Sequence, residues 1–174
     1  MSIDVKNYNP IIESDLYQFL DTNGDGTGTK DASGNYSGGS ITDFFIQPPI
    51  DKVYDLDRII IQIEDNGNMD AGSYGNGINL TTGITVQKQD SAGNVLIDLL
   101  DGLNIFTNGE WARYNYDIAS TDFGTGANYV HIRWSFNKSG EGIILKNREK
   151  LVITLNDNFS GLNGHYFMAQ GNKR

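Results

Sequence analysis

The residues of this chain with the clearest chemical potential form an acidic, glycine-rich loop near the amino terminus. Residues 21–31 read DTNGDGTGTKD, which matches the opening of an EF-hand-type calcium loop. Oxygen-bearing side chains occupy its first, third and fifth positions, and glycine occupies the sixth, where such a loop turns sharply. Because alternate residues of a tight loop point to one side, these oxygens can converge on a hard cation. The sequence therefore predicts a weak calcium site with the following ligands: Asp21, Asn23, Asp25, Thr27 and Asp31.

The match to a calcium loop is incomplete. Its twelfth position, where a bidentate Glu is expected, is Ala32, and no helical pattern flanks the loop. The alternative interpretation is a polar turn that uses Asx hydrogen bonds and left-handed glycines. Two shorter acidic segments, 65–70 and 156–158, carry similar residues, and for both we favour the turn interpretation.

Other patterns of catalytic residues are weak in this sequence. His131 and His165 are the two histidines, and a lone histidine on the polar face of a strand is usually a surface residue. There is no convincing Ser/His/Asp arrangement, no carboxylate pair with glycosidase spacing, no phosphate loop and no dinucleotide fingerprint. We therefore predict that the protein is not an enzyme.

The composition indicates one soluble domain without cysteine chemistry. The chain has 174 residues, no Cys, 13 basic and 22 acidic residues, and a net charge of -9. The absence of Cys excludes disulfides and thiolate metal sites. The acidic charge disfavours nucleic acid and anionic membranes as partners but suits a basic protein surface. The first residues lack the pattern of a signal peptide, and no apolar stretch approaches the ~20 residues of a membrane span, so we expect neither.

The elements that must position these residues are short β-strands. Apolar and polar residues alternate in several segments, Gly, Asn, Asp and Ser separate them, and no segment has a helical pattern of useful length. We predict strands over 16–20, 41–47, 57–65, 83–89, 95–98, 110–118, 129–136, 150–156 and 165–170, with a hairpin turn at 91–94. About eight strands with long, uneven connections predict an all-β, antiparallel two-sheet sandwich of jelly-roll type. An immunoglobulin-like sandwich is the alternative, although its disulfide is missing.

The alternation also predicts which side chains face the core. Ile59, Ile61 and Ile63 lie on one face of the third predicted strand, and Ile60 is an apolar exception on the other face. Ile84 and Val86 should point inward in the next strand. Leu151, Ile153 and Leu155 should do so near the carboxyl terminus, as should Val130, Ile132, Trp134 and Phe136 before them.

The chain divides into an N-terminal arm, 1–15, and a single β-sandwich domain, 16–174. The arm is either a disordered terminus or a segment that lies on a neighbouring subunit. In the second case its partner-binding residues are Tyr8, Pro10, Ile11 and Ile12. Aromatic residues in or beside loops, Tyr36, Tyr74 and Trp111, are either partly buried anchors or exposed rings that stack on sugar or on a protein partner.

A group of segments spread along the chain is distinctive: 21–29, 34–37, 43–48, 72–78, 133–136, 155–162, 165–167 and 169–171. Together these segments resemble small structural proteins of tailed bacteriophages. The resemblance covers most of the chain from about residue 16 onward. These segments contain no catalytic signature, so the resemblance implies a part of the virion rather than a reaction.

The resemblance implies a capsid decoration or cement protein that binds the lattice of the major capsid protein. Such proteins are commonly trimers, so a homo-oligomer on the capsid surface is expected, made in the host cytoplasm. An acidic module would suit a basic patch of that lattice. The alternative is a receptor- or glycan-binding module of a tail or head fibre, in which calcium-bearing loops and exposed aromatic rings would contact sugar.

Overall fold

Alternating residues produce ten β-strands in the part of the chain that the computed structural model describes, residues 14–28, 34–65, 84–99, 116–121, 128–135, 142–160 and 162–174. The strands are β1 (Ser14–Leu20), β2 (Thr42–Ile46), β3 (Tyr54–Asp65), β4 (Ile84–Gln89), β5 (Val95–Asp98), β6 (Tyr116–Thr121), β7 (Asn128–Ser135), β8 (Ile143–Leu145), β9 (Lys150–Leu155) and β10 (Leu162–Lys173). The single helical element of the described residues is a 3₁₀ turn, Gly38–Ser40. Among the described residues, no helix is long and apolar enough to cross a bilayer.

The strands form two antiparallel sheets with jelly-roll order. One sheet runs β1-β10-β3-β7-β6, with β8 paired to one end of β3, and the other runs β2-β9-β4-β5. The row β1-β10-β3 is thus matched by the row β2-β9-β4, and each strand of one row is next in the chain to its counterpart in the other row. This wrapped arrangement is the double-sheet jelly roll. The predicted fold is therefore confirmed, with four strands of each sheet forming its frame and β6 and β8 added to one sheet.

The core lies between the sheets, where every second side chain points inward. Ile59 and Ile61 of β3 are fully buried, as are Ile84 and Val86 of β4. The predicted inward face of β9 is confirmed as well, by the burial of Leu151, Ile153 and Leu155. Removing each such side chain from water contributes roughly 1.5–3 kcal/mol. Period-two alternation was therefore a sound guide to the core.

A tight backbone approach fixes the last residues of β10 against β3. A Cβ atom on Gly171 would lie 2.0 Å from the carbonyl oxygen of Asp55, so this position requires glycine. The register between the strands shifts at the same point, which places Lys173 opposite Tyr54. Beyond β10, Arg174 and Val53 exchange two backbone hydrogen bonds of 2.9 and 3.0 Å. These two bonds continue the pairing of β10 with β3 by one residue pair.

Several strand boundaries differ from the sequence prediction, most clearly those of β1, β3 and β10, and one strand was not predicted. Strand β1 begins at Ser14, which pairs with Lys173, so the paired sheet extends two residues into the predicted arm. The proposed arm residues Tyr8, Pro10, Ile11 and Ile12 lie outside the described residues. The short strand β8 was not predicted, because three residues are too few for alternation to be recognised.

Candidate functional site

The acidic loop starts where the two sheets meet. Asp21 directly follows β1 and forms an isolated bridge with Phe45 of β2 in the opposite sheet. The two residues exchange backbone hydrogen bonds of 3.3 and 2.9 Å. The first predicted calcium ligand is therefore held by the framework and not by the loop alone.

The Asp21 carboxylate is buried and is surrounded by backbone donors. It accepts hydrogen bonds from the backbone N–H groups of Gly24, Gly26 and Gly28. Asp21 is only 8% exposed. Three converging N–H groups thus satisfy the oxygens of this buried side chain. The glycines of the motif thus fold the loop around its first acidic residue.

Gly24 also makes contact across the sandwich. It has a positive φ of 74°, and a Cβ atom there would lie 2.0 Å from an atom of the Phe45 ring. The loop therefore needs glycine at this position both for its backbone conformation and for its packing on β2. Nothing about a metal ion is needed to explain this glycine.

The remaining described members of the motif bind each other. The Asp25 N–H donates to Asn23 Oδ1 over 3.0 Å, and Asn23 Nδ2 donates to Asp25 Oδ2 over 3.0 Å. Thr27 donates to Asp25 Oδ1 from its backbone N–H and its hydroxyl group. These hydrogen bonds, led by that from the Thr27 hydroxyl, hold the pKa of the Asp25 carboxyl below its usual value. These contacts are Asx-turn contacts of the kind the alternative interpretation predicts.

The structure places four of the five predicted ligands, Asp21, Asn23, Asp25 and Thr27, in one loop. Asp31 lies outside the described residues. Among the described residues, no group of three or more acidic, His or Cys side chains is arranged to hold a metal. A calcium ion would have to replace the contact between Asn23 and Asp25, so calcium binding stays a prediction.

A surface groove runs beside this loop, and we name it the Pro49 groove. One part encloses about 400 Å³ and the other about 370 Å³, and the two share Gln18, Pro49 and Tyr54. The first part is bordered by Gly24 and Asp25 of the acidic loop. Its other lining residues include Gln47, Pro48, Ile50 and Arg148. Cavities of this size are typical of small-molecule sites.

The interpretation of His165 as a surface residue was wrong. His165 is 1% exposed and points into the core from β10, on the same face as Phe167 and Ala169. Four aromatic rings surround it at centroid distances between 5.1 and 6.4 Å: Tyr36, Phe44, Phe159 and Phe167. The strand alternation through Phe167 contained this information, but His was classed as polar. The side chain of His131 lies outside the described part of the structure.

The two ring nitrogens of His165 differ in their hydrogen bonding. Nε2 lies 2.8 Å from the Tyr36 hydroxyl, whereas Nδ1 is buried without a hydrogen-bond partner among the described residues. Burial lowers the pKa of His165 to about 4, so the ring is neutral at pH 7. A neutral imidazole that makes one hydrogen bond inside an aromatic cluster suits a structural role.

Tyr36 is anchored to the core, as one of the two interpretations of the loop aromatics predicts. Its N–H donates to the carbonyl of Asp157 over 2.8 Å, and the N–H of Phe159 donates to the carbonyl of Gly34 over 2.8 Å. These bonds clasp residues 34–36 to residues 157–159. Tyr74 and Trp111 lie outside the described residues.

A different surface feature lies on β5. Val95, Leu96 and Ile97 are 51%, 48% and 47% exposed, although all three are large apolar residues. In the described part of the chain β5 is the last strand of its sheet and pairs with β4 alone. Edge strands of soluble proteins usually carry charge at such positions, so this strand needs an explanation.

Comparison with known proteins identifies no relative: no family model, no curated protein and no solved structure matches this chain. The resemblance to bacteriophage structural proteins therefore stays a prediction. What the protein does has to be argued from its own residues and geometry.

Proposed function

We propose that this protein is a non-catalytic structural protein of a tailed-bacteriophage virion, which decorates and stabilises the capsid by binding the lattice of the major capsid protein. The observation that carries the proposal is the apolar edge strand β5, with Val95, Leu96 and Ile97 in a row. Contiguous exposed apolar side chains with a polar surround mark protein interaction surfaces. A binding protein needs such a surface, whereas an enzyme needs a reactive cleft.

The chemistry of β5 favours a protein partner over a soluble ligand. An edge strand offers main-chain N–H and C=O groups, to which an extended segment of another chain can add as a further strand. Val95 and Ile97 on one face of β5, and Leu96 on the other, would then pack against the added segment. Strand addition has the further property that it joins two sheets without requiring either to change shape.

Charge supports a lattice partner. The net charge of -9 favours docking on a basic patch of another protein. The jelly roll is a common architecture of capsid proteins. We further propose that the protein is a trimer at a local threefold axis of the head, and that the arm residues Tyr8, Pro10, Ile11 and Ile12 contact a neighbouring subunit.

A reconstitution experiment tests the proposal. Purified protein is added to heads of the parent phage that lack it, and the copies bound per head are counted after sedimentation. We expect Leu96→Asp to lose binding, since it places a charge in the centre of the apolar strip. Ile41→Asp is the matched control, because Ile41 is equally exposed, at 52%, but lies before β2. Binding by neither wild type nor control, or full binding by Leu96→Asp, would contradict the proposal.

A receptor- or glycan-binding module of a fibre is the second candidate. The observation that favours it is the position of the Pro49 groove beside the acidic loop. Asp25 belongs to this loop and also lines the groove. Jelly rolls also occur as lectins. Screening the protein on a glycan array, with calcium and with chelator, tests this candidate. Absence of any bound glycan in both buffers would remove it.

A further inference from the structure

One end of the Pro49 groove collects positive charge in an acidic protein. The described residues that line this end are Ser14, Gln18, Pro49, Lys52, Tyr54, Lys173 and Arg174. Three of them are basic and none is acidic, although acidic residues outnumber basic ones 22 to 13 in the whole chain. The charged side chains that line this end of the groove are therefore all opposite in sign to the net charge of the molecule.

The basic residues come from positions that the fold holds in place. Lys173 is the last residue of β10, paired with Ser14 on one side and with Tyr54 on the other. Two backbone hydrogen bonds to Val53 keep Arg174 at the same edge. A site built on strand ends is more precise than one built on a free tail.

The third basic residue lies in a closed turn. The N–H of Lys52 donates to the carbonyl of Pro49 over 3.1 Å, and Asp51 adopts a positive φ of 64° within this turn. A left-handed conformation in a residue other than glycine is uncommon and is often retained at functional sites. The turn directs the chain so that Lys52 and Pro49 border the same cavity.

Neutral donors complete the lining. Tyr54 is 4% exposed, and its hydroxyl group is hydrogen-bonded to the side chain of Gln18. Burial raises the pKa of Tyr54, so the phenol stays protonated at neutral pH and remains a donor. Ser14 adds a hydroxyl group to the lining. Ammonium groups with nearby hydroxyl donors are the usual partners of carboxylate and phosphate groups.

We propose that this end of the Pro49 groove binds a small ligand through an anionic head group, a carboxylate or a phosphate, held by Lys52 and Lys173 with Tyr54 as a neutral donor. The cavity of about 370 Å³ accommodates one such group together with a small body. The body would extend past Pro49 and Gln18, which both parts of the groove share. A polyanion such as nucleic acid is disfavoured, since the rest of the acidic surface repels it. This site is distinct from β5 and does not depend on the capsid proposal.

Titration with two simple probes tests the site. Inorganic phosphate and succinate are added separately at low ionic strength, and backbone amide shifts are followed by NMR. We expect saturable shifts at Ser14, Lys52 and Lys173, weakened by added salt. Response to phosphate alone, or to succinate alone, identifies which head group the site takes, and response to both identifies a general anion site. No saturable shift with either probe, or shifts confined to other residues, would overturn the proposal.

Variants separate a built site from general charge attraction. We expect the double change Lys52→Gln, Lys173→Gln to weaken binding at least tenfold, since it removes two charged donors. Tyr54→Phe keeps the ring and removes the hydroxyl group, and about fivefold weaker binding is expected. The single changes Lys52→Gln and Lys173→Gln are compared with Lys146→Gln as the charge-matched control, because Lys146 is exposed and lines neither part of the groove. Equal weakening by the control and by both single variants would reduce the effect to net charge and refute the site.

Discussion

The acidic loop and the His165 cluster make opposite use of polar groups. In the loop, every described acidic side chain receives hydrogen bonds from residues no more than seven positions away, including those from Gly24 and Gly28 to Asp21. In the cluster, His165 shares one hydrogen bond with Tyr36, which is 129 positions away, and its second nitrogen has no described partner. Polar groups that bind residues close in the chain keep their hydrogen bonds when water enters or a distant residue is substituted. A buried group with one distant partner keeps its hydrogen bond only while the whole fold is intact. The difference therefore predicts where substitutions and pH should act.

The largest effect is expected in the cluster. Phe159 is 1% exposed and packs against both His165 and Tyr36, so Phe159→Ala leaves a cavity that its neighbours cannot fill. We expect the free energy of unfolding to fall by about 3–5 kcal/mol, as measured by urea denaturation. Tyr17→Ala is the control, since Tyr17 is 62% exposed and its loss should change stability by no more than about 0.5 kcal/mol. Similar losses for both variants would show that the cluster is not a tightly packed unit.

Acid should act on the His165 cluster at a higher pH than on the Asp25 carboxyl, whose pKa is lowered. The unfolded chain binds a proton at His165 near pH 6.5, whereas the folded chain does so only near pH 4. Between these values the unfolded state holds more protons, so the free energy of unfolding falls as the pH falls. The contribution is complete above pH 6.5, and about 3 kcal/mol of it is lost by pH 4. The Asp25 carboxyl, with its lowered pKa, titrates below this window.

The measurement for His165 is a series of urea denaturation curves between pH 7 and pH 4. His165→Phe fills the aromatic cluster without a titratable group, so its stability should vary less over this range than that of the wild type. The difference between the two pH profiles isolates His165 from the carboxylates, which both proteins share. Parallel profiles would mean that the folded protein accepts the proton as readily as the unfolded one.

The comparison also explains how much the sequence alone could predict. Sheet alternation, the hairpin turn and the inward faces of β4 and β9 depend on residues close in the chain, and all were predicted. The clasp between residues 34–36 and 157–159 joins two distant turns, and no local pattern encodes it. The same holds for the basic end of the Pro49 groove, where Ser14, Lys52 and Lys173 meet only after β1, β3 and β10 have paired.

Glycine substitutions test whether the acidic loop packs on β2. Gly24→Ala places a methyl group into the Phe45 ring and also strains a left-handed backbone, so we expect a loss of about 2–3 kcal/mol in the free energy of unfolding. Gly93→Ala is the matched control, since Gly93 has a positive φ of 91° but no atom within 4 Å of the added carbon. Gly93→Ala should lower the free energy of unfolding through backbone strain alone, by about 1 kcal/mol. Equal effects would mean that the loop does not pack on β2 as described.

The smallest expected effect is that of calcium on stability. It tests whether the acidic loop binds an ion or is only a turn. Few charged oxygens are available, so calcium affinity should be weak, with a Kd of about 10⁻⁴–10⁻³ M. At about 1 mM calcium, binding only to the folded state adds about 1 kcal/mol to the free energy of unfolding and raises Tm by about 2–4 °C.

The variants for this measurement distinguish a specific site from a general effect of a divalent cation on an acidic protein. Asp25→Ala should abolish the rise in Tm between excess chelator and excess calcium, because it removes the exposed carboxylate of the predicted ligand set. Asp90→Ala should retain it. Asp90 is also a turn carboxylate that accepts N–H groups, from Ala92 and Asn94, but it lies in the hairpin between β4 and β5. A rise that survives in both variants would reflect screening of the net charge of -9. The absence of any rise in the wild type would leave Asp21, Asn23 and Asp25 as turn residues, which bind their own backbone in place of an ion.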